Sequence, residues 1–198
     1  MLSSKARSAL GHVVDPVGQS LARAGVTANT LTFIGLAGSV LAGALIGTGR
    51  TALGGAVSLL AGLPDVLDGA VAKASGSADA RGAFLDSVVD RLSDASVLFG
   101  VIWLAAERNQ PRLAVLAALV LTFSLIVSYT KARAQSLGFS CDVGIAERPE
   151  RVIALGVALL FGWLEFGLWV LLAGTVVTVA QRVWTVWQQA GRAVKGER

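Results

Sequence analysis

Four carboxylates, Asp65, Asp68, Asp86 and Asp90, stand in a run of sequence that is otherwise mostly hydrocarbon. Asp65 and Asp68 are three residues apart and Asp86 and Asp90 four apart, so on helices each pair shares a face. A carboxylate near mid-bilayer costs about 2.5–3.5 kcal/mol on insertion scales, and four of them need a compensating partner. Two carboxylates about 4 Å apart also repel by roughly 4 kcal/mol at an effective dielectric near 20. A divalent metal relieves both costs, and hard oxygen ligands point to magnesium or manganese. The competing reading is a set of interhelical salt bridges to Lys73, Arg81 and Arg91, which leaves the glycines among the aspartates unexplained. Asp94 continues the row one turn further and suits a supporting salt bridge.

The elements that carry these residues are apolar. The chain has 198 residues, 54% of them hydrophobic and only 15% charged, with a single cysteine, Cys141. That composition belongs to an integral membrane protein of one domain and excludes an intramolecular disulfide. The net charge of +4 is best read as basic residues gathered on one membrane face, with no nucleic-acid partner. Residues 1–28 are too polar to span. Leu10, Val13, Val14, Val17 and Leu21 give them an apolar stripe, and Asp15-Pro16 predicts a break into two short helices. The segment either lies on the membrane surface or packs on its own bundle.

Six transmembrane helices are predicted over residues 29–190, before a basic cytoplasmic tail at 191–198. The first covers Asn29 to Gly49, with Gly35, Ser39, Gly43 and Gly47 forming a small-residue seam for close helix packing. The second runs from Thr51 into the acidic stretch, the third from Arg81 to Ala106 and the fourth from Leu113 to Thr130. A polar loop precedes a fifth that opens at Glu147 and ends near Trp163, and a sixth starts near Phe166. With the N-terminus in the cytoplasm, Lys73, Arg81, Lys131, Arg133, Arg148, Arg151 and the tail lie inside, against Arg50, Arg108 and Arg112 outside. The positive-inside rule then puts the aspartates and both termini at the cytoplasmic face of the cell membrane. Lys131, Arg151 and Arg182 end the fourth, open the fifth and close the sixth span at one level, where three cations could bind a phosphate.

The spacing D-x2-D-G-x2-A-R-x8-G-x3-D-x3-D resembles the motif of the CDP-alcohol phosphotransferases, membrane enzymes of phospholipid synthesis. Every fixed position is met except one: Lys73 stands where the family usually has arginine. Lysine offers a point charge in place of a two-pronged fork, so the swap bears on nucleotide affinity. The resemblance implies a pair of magnesium ions, with manganese a possible substitute, held by Asp65, Asp68, Asp86 and Asp90, and it gives Asp90 the role of general base. Gly69, Ala72 and Gly82 leave room for a nucleotide diphosphate against the backbone. Asn29-Thr30-Leu31-Thr32 is similar to the family's nucleotide-contacting N-x-x-T, although Asn29 would also serve as a plain helix cap.

Ser128-Tyr-Thr-Lys131-Ala-Arg133-Ala and Glu147-Arg-Pro-Glu-Arg151 resemble the actinobacterial phosphatidylinositol phosphate synthases within that family. The implied reaction joins the phosphatidyl group of CDP-diacylglycerol to inositol phosphate with release of CMP. Lys131, Arg151 and Arg182 would hold the acceptor phosphate. Arg133 and Arg148 are weaker candidates, since Glu147 and Glu150 stand ready to pair with them. A homodimer is also implied. Rival readings are glycerol phosphate as acceptor, an ether-lipid donor, a cation transporter that uses the intramembrane aspartates, and a non-catalytic scaffold.

Overall fold

The computed structural model describes residues 4–76 and 79–194, with side chains described from Val14 to Arg192. Eight helices occur among them and no strand. They are α1 (Ser4–Arg23), α2 (Ala28–Gly47), α3 (Thr51–Ala61), α4 (Leu63–Ala74), α5 (Ala80–Glu107), α6 (Pro111–Ser136), α7 (Arg148–Leu160) and α8 (Leu164–Val194). Four stretches are long and apolar enough to cross a membrane: Ala28–Gly47, Thr51–Ala74, Pro111–Ser136 and Leu164–Arg192. At 28 residues α5 has the length, but Asp86, Asp90, Arg91 and Asp94 crowd its first half. With 13 residues, α7 reaches only about 20 Å.

The second predicted span is a helix interrupted at Gly62, with Pro64 in the first turn of α4. Proline is tolerated there because the first-turn N–H groups have no intrahelical acceptor. The interruption re-aims the chain just before Asp65. The small-residue seam of α2 packs as its spacing predicts. Gly43 faces the Ser96 carbonyl and the Gly100 backbone so closely that a Cβ on either glycine would collide with the partner. Gly47 receives the ring of Trp103 in the same way. These contacts fix α2 against α5 along most of its length.

Ala42, Ile46, Val97, Val101, Leu116, Val120, Leu155, Leu159 and Leu168 form the core where α2, α5, α6, α7 and α8 meet. Large apolar side chains such as Phe33, Leu41, Phe99, Trp169 and Val170 point outward, as a bundle in lipid requires. Several boundaries differ from the sequence expectation. Pro16 lies inside α1, which runs unbroken through Asp15. Its Gly18 seats against Ala70 and Val71, so α1 packs on α4, in line with one of the two readings left open for this segment. The side chains of Leu10 and Val13 lie outside the described set. Thr27, not Asn29, caps α2, its hydroxyl accepting from the Thr30 N–H at 3.2 Å. The helix of α8 continues to Val194, so the first residues of the expected tail are helical, while 195–198 lie outside the described residues.

Candidate active site

Asp65 and Asp68 project from the first turns of α4, and Asp86 and Asp90 from α5. Asp79 aims α5, its Oδ1 accepting from the Gly82 N–H at 2.7 Å as an N-cap. Asp65, Asp68 and Asp86 each offer an oxygen, and these atoms lie within 4.8 Å of one another. Thr32 from α2 donates to Asp68 Oδ2 at 3.0 Å. Asp86 Oδ1 is buried with no hydrogen-bond partner. A buried carboxylate oxygen without a donor is rare in a folded protein, and a bound cation satisfies it. The donor set therefore fits a hard divalent metal.

Asp90 is joined to this group through an arginine that the sequence reading placed elsewhere. Arg148 Nη1 lies 2.6 Å from Asp65 Oδ1 and 3.0 Å from Asp90 Oδ1, and its Nε lies 3.7 Å from Asp94 Oδ1. Asp94 Oδ2 in turn accepts from Arg151 Nη2 at 2.6 Å. Of the three bases that the competing salt-bridge reading pairs with the aspartates, Arg91 alone has such a contact among the described residues, 3.7 Å from Asp90. Arg148 supplies the main counter-charge, and it pairs with these aspartates instead of Glu147 or Glu150. The available signal was spacing: Arg148 and Arg151 are three apart at a helix start, a two-cation face to match the two-carboxylate faces.

Beside the aspartates opens a cavity of about 1030 Å³ between α2, α4 and α5. Asn29, Thr32, Gly69, Ala72, Lys73 and Gly82 line it, with Asp68 and Asp86 at one side. A Cβ on Gly69 would meet only open space, so this wall keeps backbone exposed to a ligand. Lys73 and Arg81 place positive charge in the same cavity. Thr30 and Leu31 do not line it. The Thr30 hydroxyl sits 2.8 Å from that of Thr27, and Leu31 is buried beside Asp65 and Asp90.

The three expected phosphate cations do not meet as free charges. Lys131 Nζ lies 3.0 Å from Asp142, and Arg151 is buried between Asp94 and the Ala146 carbonyl. Arg182 is buried too, donating to the carbonyls of Val127 and Val143 at 2.5 and 2.9 Å and to Glu147 at 3.1 Å. It thus straps the 137–147 loop to α8. Thr178 adds to the strap by accepting from the N–H groups of Ile145 and Ala146 at 3.2 and 3.1 Å. Gly144, at φ +143°, is needed at the crossing, because a side chain would be strained and would strike Thr178. Cys141 is buried in this loop, and that burial pushes its thiol up from the usual range, which marks it as packing rather than a nucleophile.

Apolar helices around a carboxylate cage that opens onto a large polar-walled cavity define a membrane protein with a metal-suited site. Residues 25–187 match the CDP-alcohol phosphatidyltransferase family, and the chain belongs to that family. It is 39% identical over 197 residues to the phosphatidylinositol phosphate synthase of Mycobacterium marinum, covering 93% of this chain and 84% of the relative. The archaetidylinositol phosphate synthase of Pyrococcus horikoshii is 36% identical over 182 residues, covering 91% of this chain and 94% of that one. Among solved structures, phosphatidylinositol phosphate synthase of Mycobacterium tuberculosis with CDP-DAG bound superposes with a TM-score of 0.81. That match has 33% identity and covers 89% of this chain and 94% of that one. A structure of the same enzyme with manganese and citrate gives a TM-score of 0.79 at 35% identity, covering 88% of each chain.

Proposed function

We propose that the protein transfers the phosphatidyl group of CDP-diacylglycerol to inositol phosphate, giving phosphatidylinositol phosphate and CMP. One observation carries the reading: Asp68 and Asp86 border the same cavity as Asn29, Thr32, Gly69, Ala72, Lys73 and Gly82. Carboxylates for metal and a backbone-lined wall for a nucleotide are thus neighbours. Asp65, Asp68, Asp86 and Asp90 would hold two magnesium ions, with manganese able to replace them. Bound there, the ions would neutralise the diphosphate and stabilise the leaving phosphate.

The chain's own groups supply the rest. Asp90 accepts the proton of the acceptor hydroxyl. The freed oxygen attacks the lipid-side phosphorus, the bond to the CMP phosphate breaks, and CMP leaves with that bond's electrons. Lys73, Asn29 and Thr32 orient the nucleotide. Thr32 also holds Asp68, to which it donates. Lys131, Arg151 and Arg182 hold the acceptor phosphate, which must draw them from Asp142, Asp94 and Glu147. With α5 and α7 counted, six spans over 29–190 carry the site. Residues 1–28 then form a juxtamembrane arm and 191–198 a basic end. We further place the site and both termini at the cytoplasmic face of the cell membrane, in a homodimer.

An ether-lipid donor is the second reading, favoured by the relative from Pyrococcus horikoshii. A CMP-release assay on purified protein separates these readings. CDP-diacylglycerol and a CDP-linked ether lipid are crossed with inositol phosphate and glycerol phosphate, with and without magnesium. Turnover with glycerol phosphate alone, or full turnover after chelation, overturns the proposal.

A further inference from the structure

We propose that Arg148 is a built-in counter-ion of the aspartate cage, exchanging with the divalent cations as they enter and leave. The inference rests on the metal reading of the site and adds a residue that this reading does not use. Arg148 Nη1 lies between Asp65 and Asp90, at 2.6 and 3.0 Å, with its guanidinium largely buried. Asp65 Oδ1 therefore carries a cation on the side facing Asp90. A cation held by both aspartates would need that same space, and two positive groups crowded there would repel.

The charge balance points the same way. Asp65, Asp68, Asp86, Asp90 and Asp94 surround Arg148, and Arg151 is the other buried arginine that pairs with them. Without metal the carboxylates outnumber the arginines, and Arg148 alone bridges Asp65, Asp90 and Asp94. With metal the excess disappears, and the guanidinium becomes surplus at Asp65.

There is room for it to withdraw. Behind the aspartates lies a chamber of about 30 Å³ with mixed walls, Ser93, Asp94, Ser124 and Arg151 on one part and Val97 and Leu155 on another, and Arg148 lines it too. Ser93 and Arg148 also line the small cavity among the aspartates, so the guanidinium stands between the two spaces. Its buried Nε has no hydrogen-bond partner, and Asp94 Oδ1 waits at 3.7 Å. A retreat of about 1 Å turns that long contact into a hydrogen bond. The side chain thus has a second seat beside the one it leaves, with Asp94 as its partner there.

The test is Mn2+ titration of purified, detergent-solubilised protein by calorimetry, with melting followed in parallel. Arg148→Gln is expected to bind Mn2+ about tenfold more tightly than wild type, because a competing charge is gone. Its metal-free form should melt earlier, and Mn2+ should close most of that gap. Equal or weaker Mn2+ binding by Arg148→Gln overturns the exchange. If that variant does not fold, Arg148→Met removes the charge and fills the space with a flexible, unbranched side chain. It should bind Mn2+ more tightly than wild type, and unchanged affinity counts against the proposal. A Mn2+-bound crystal structure of the wild type decides directly. Nη1 gone from Asp65 supports the exchange, and both contacts intact overturns it. Failure of the wild type to bind Mn2+ would instead overturn the metal reading itself.

Discussion

The two charged regions of this protein are built on opposite terms. Around α4 and α5, carboxylates converge with oxygens to spare, Asp86 Oδ1 has no donor, and a large cavity opens alongside. Around α6, α7 and α8, the cations are matched internally: Lys131 to Asp142, Arg151 to Asp94, Arg182 to Glu147 and two carbonyls. Burying an unpaired charge is expensive, so a region that leaves groups unmatched is waiting for a ligand. The difference teaches an order of preparation. On the proposed reading, the donor side keeps an open cavity and has one internal cation, Arg148, to displace, whereas each of the three cations of the acceptor side would have to leave its partner when the phosphate arrives.

Substitutions can break that contrast. Asp90→Asn should lower CMP release by roughly 10²–10⁴-fold, since the acceptor hydroxyl loses its base while much of the cage survives. Chelation with EDTA should stop turnover, with Mg2+ or Mn2+ restoring it; persistence would place the donor side on the same internally matched footing as the acceptor side. Arg182→Ala should cost about 3–5 kcal/mol of stability, read as a fall in melting temperature, because Glu147 and two carbonyls lose their buried partner. Lys131→Ala should leave melting nearly unchanged and raise the acceptor KM about tenfold, as an exposed pair contributes little to folding while a phosphate contact contributes more. Lys73→Arg should lower the KM for the CDP-linked lipid by about two- to fivefold, through a forked contact that lysine cannot make.

The donor side was the more legible in sequence, and local geometry explains why. Aspartates three and four apart announce their shared faces, and the Gly35–Gly47 seam announces which side of α2 meets a neighbour. The acceptor side hid its structure because its pairings are distant along the chain. Glu147 and Glu150 flank Arg148 and invite local pairing, yet the guanidinium reaches across to α4 and α5. Arg182 has the look of an ordinary charge at a helix end, but it is one of the best-buried polar groups among the described residues. Boundaries failed where two signals competed. Asn29 is a good cap, but Thr27 precedes it with a hydroxyl in reach of Thr30. Pro16 ends many helices, yet α1 absorbs it, its Gly18 seated on Ala70.

The contact between Gly43 and Gly100 has a consequence for how a two-tailed lipid can leave. Where α2 and α5 meet main chain to main chain, there is no slot through which a fatty chain could thread. That seam works as a sealed wall, whereas the flank that α4 borders is open at Gly69, where a Cβ would meet nothing. Bulkier residues at 43 or 100 would wedge the wall apart and let grease into a joint that the native packing keeps shut.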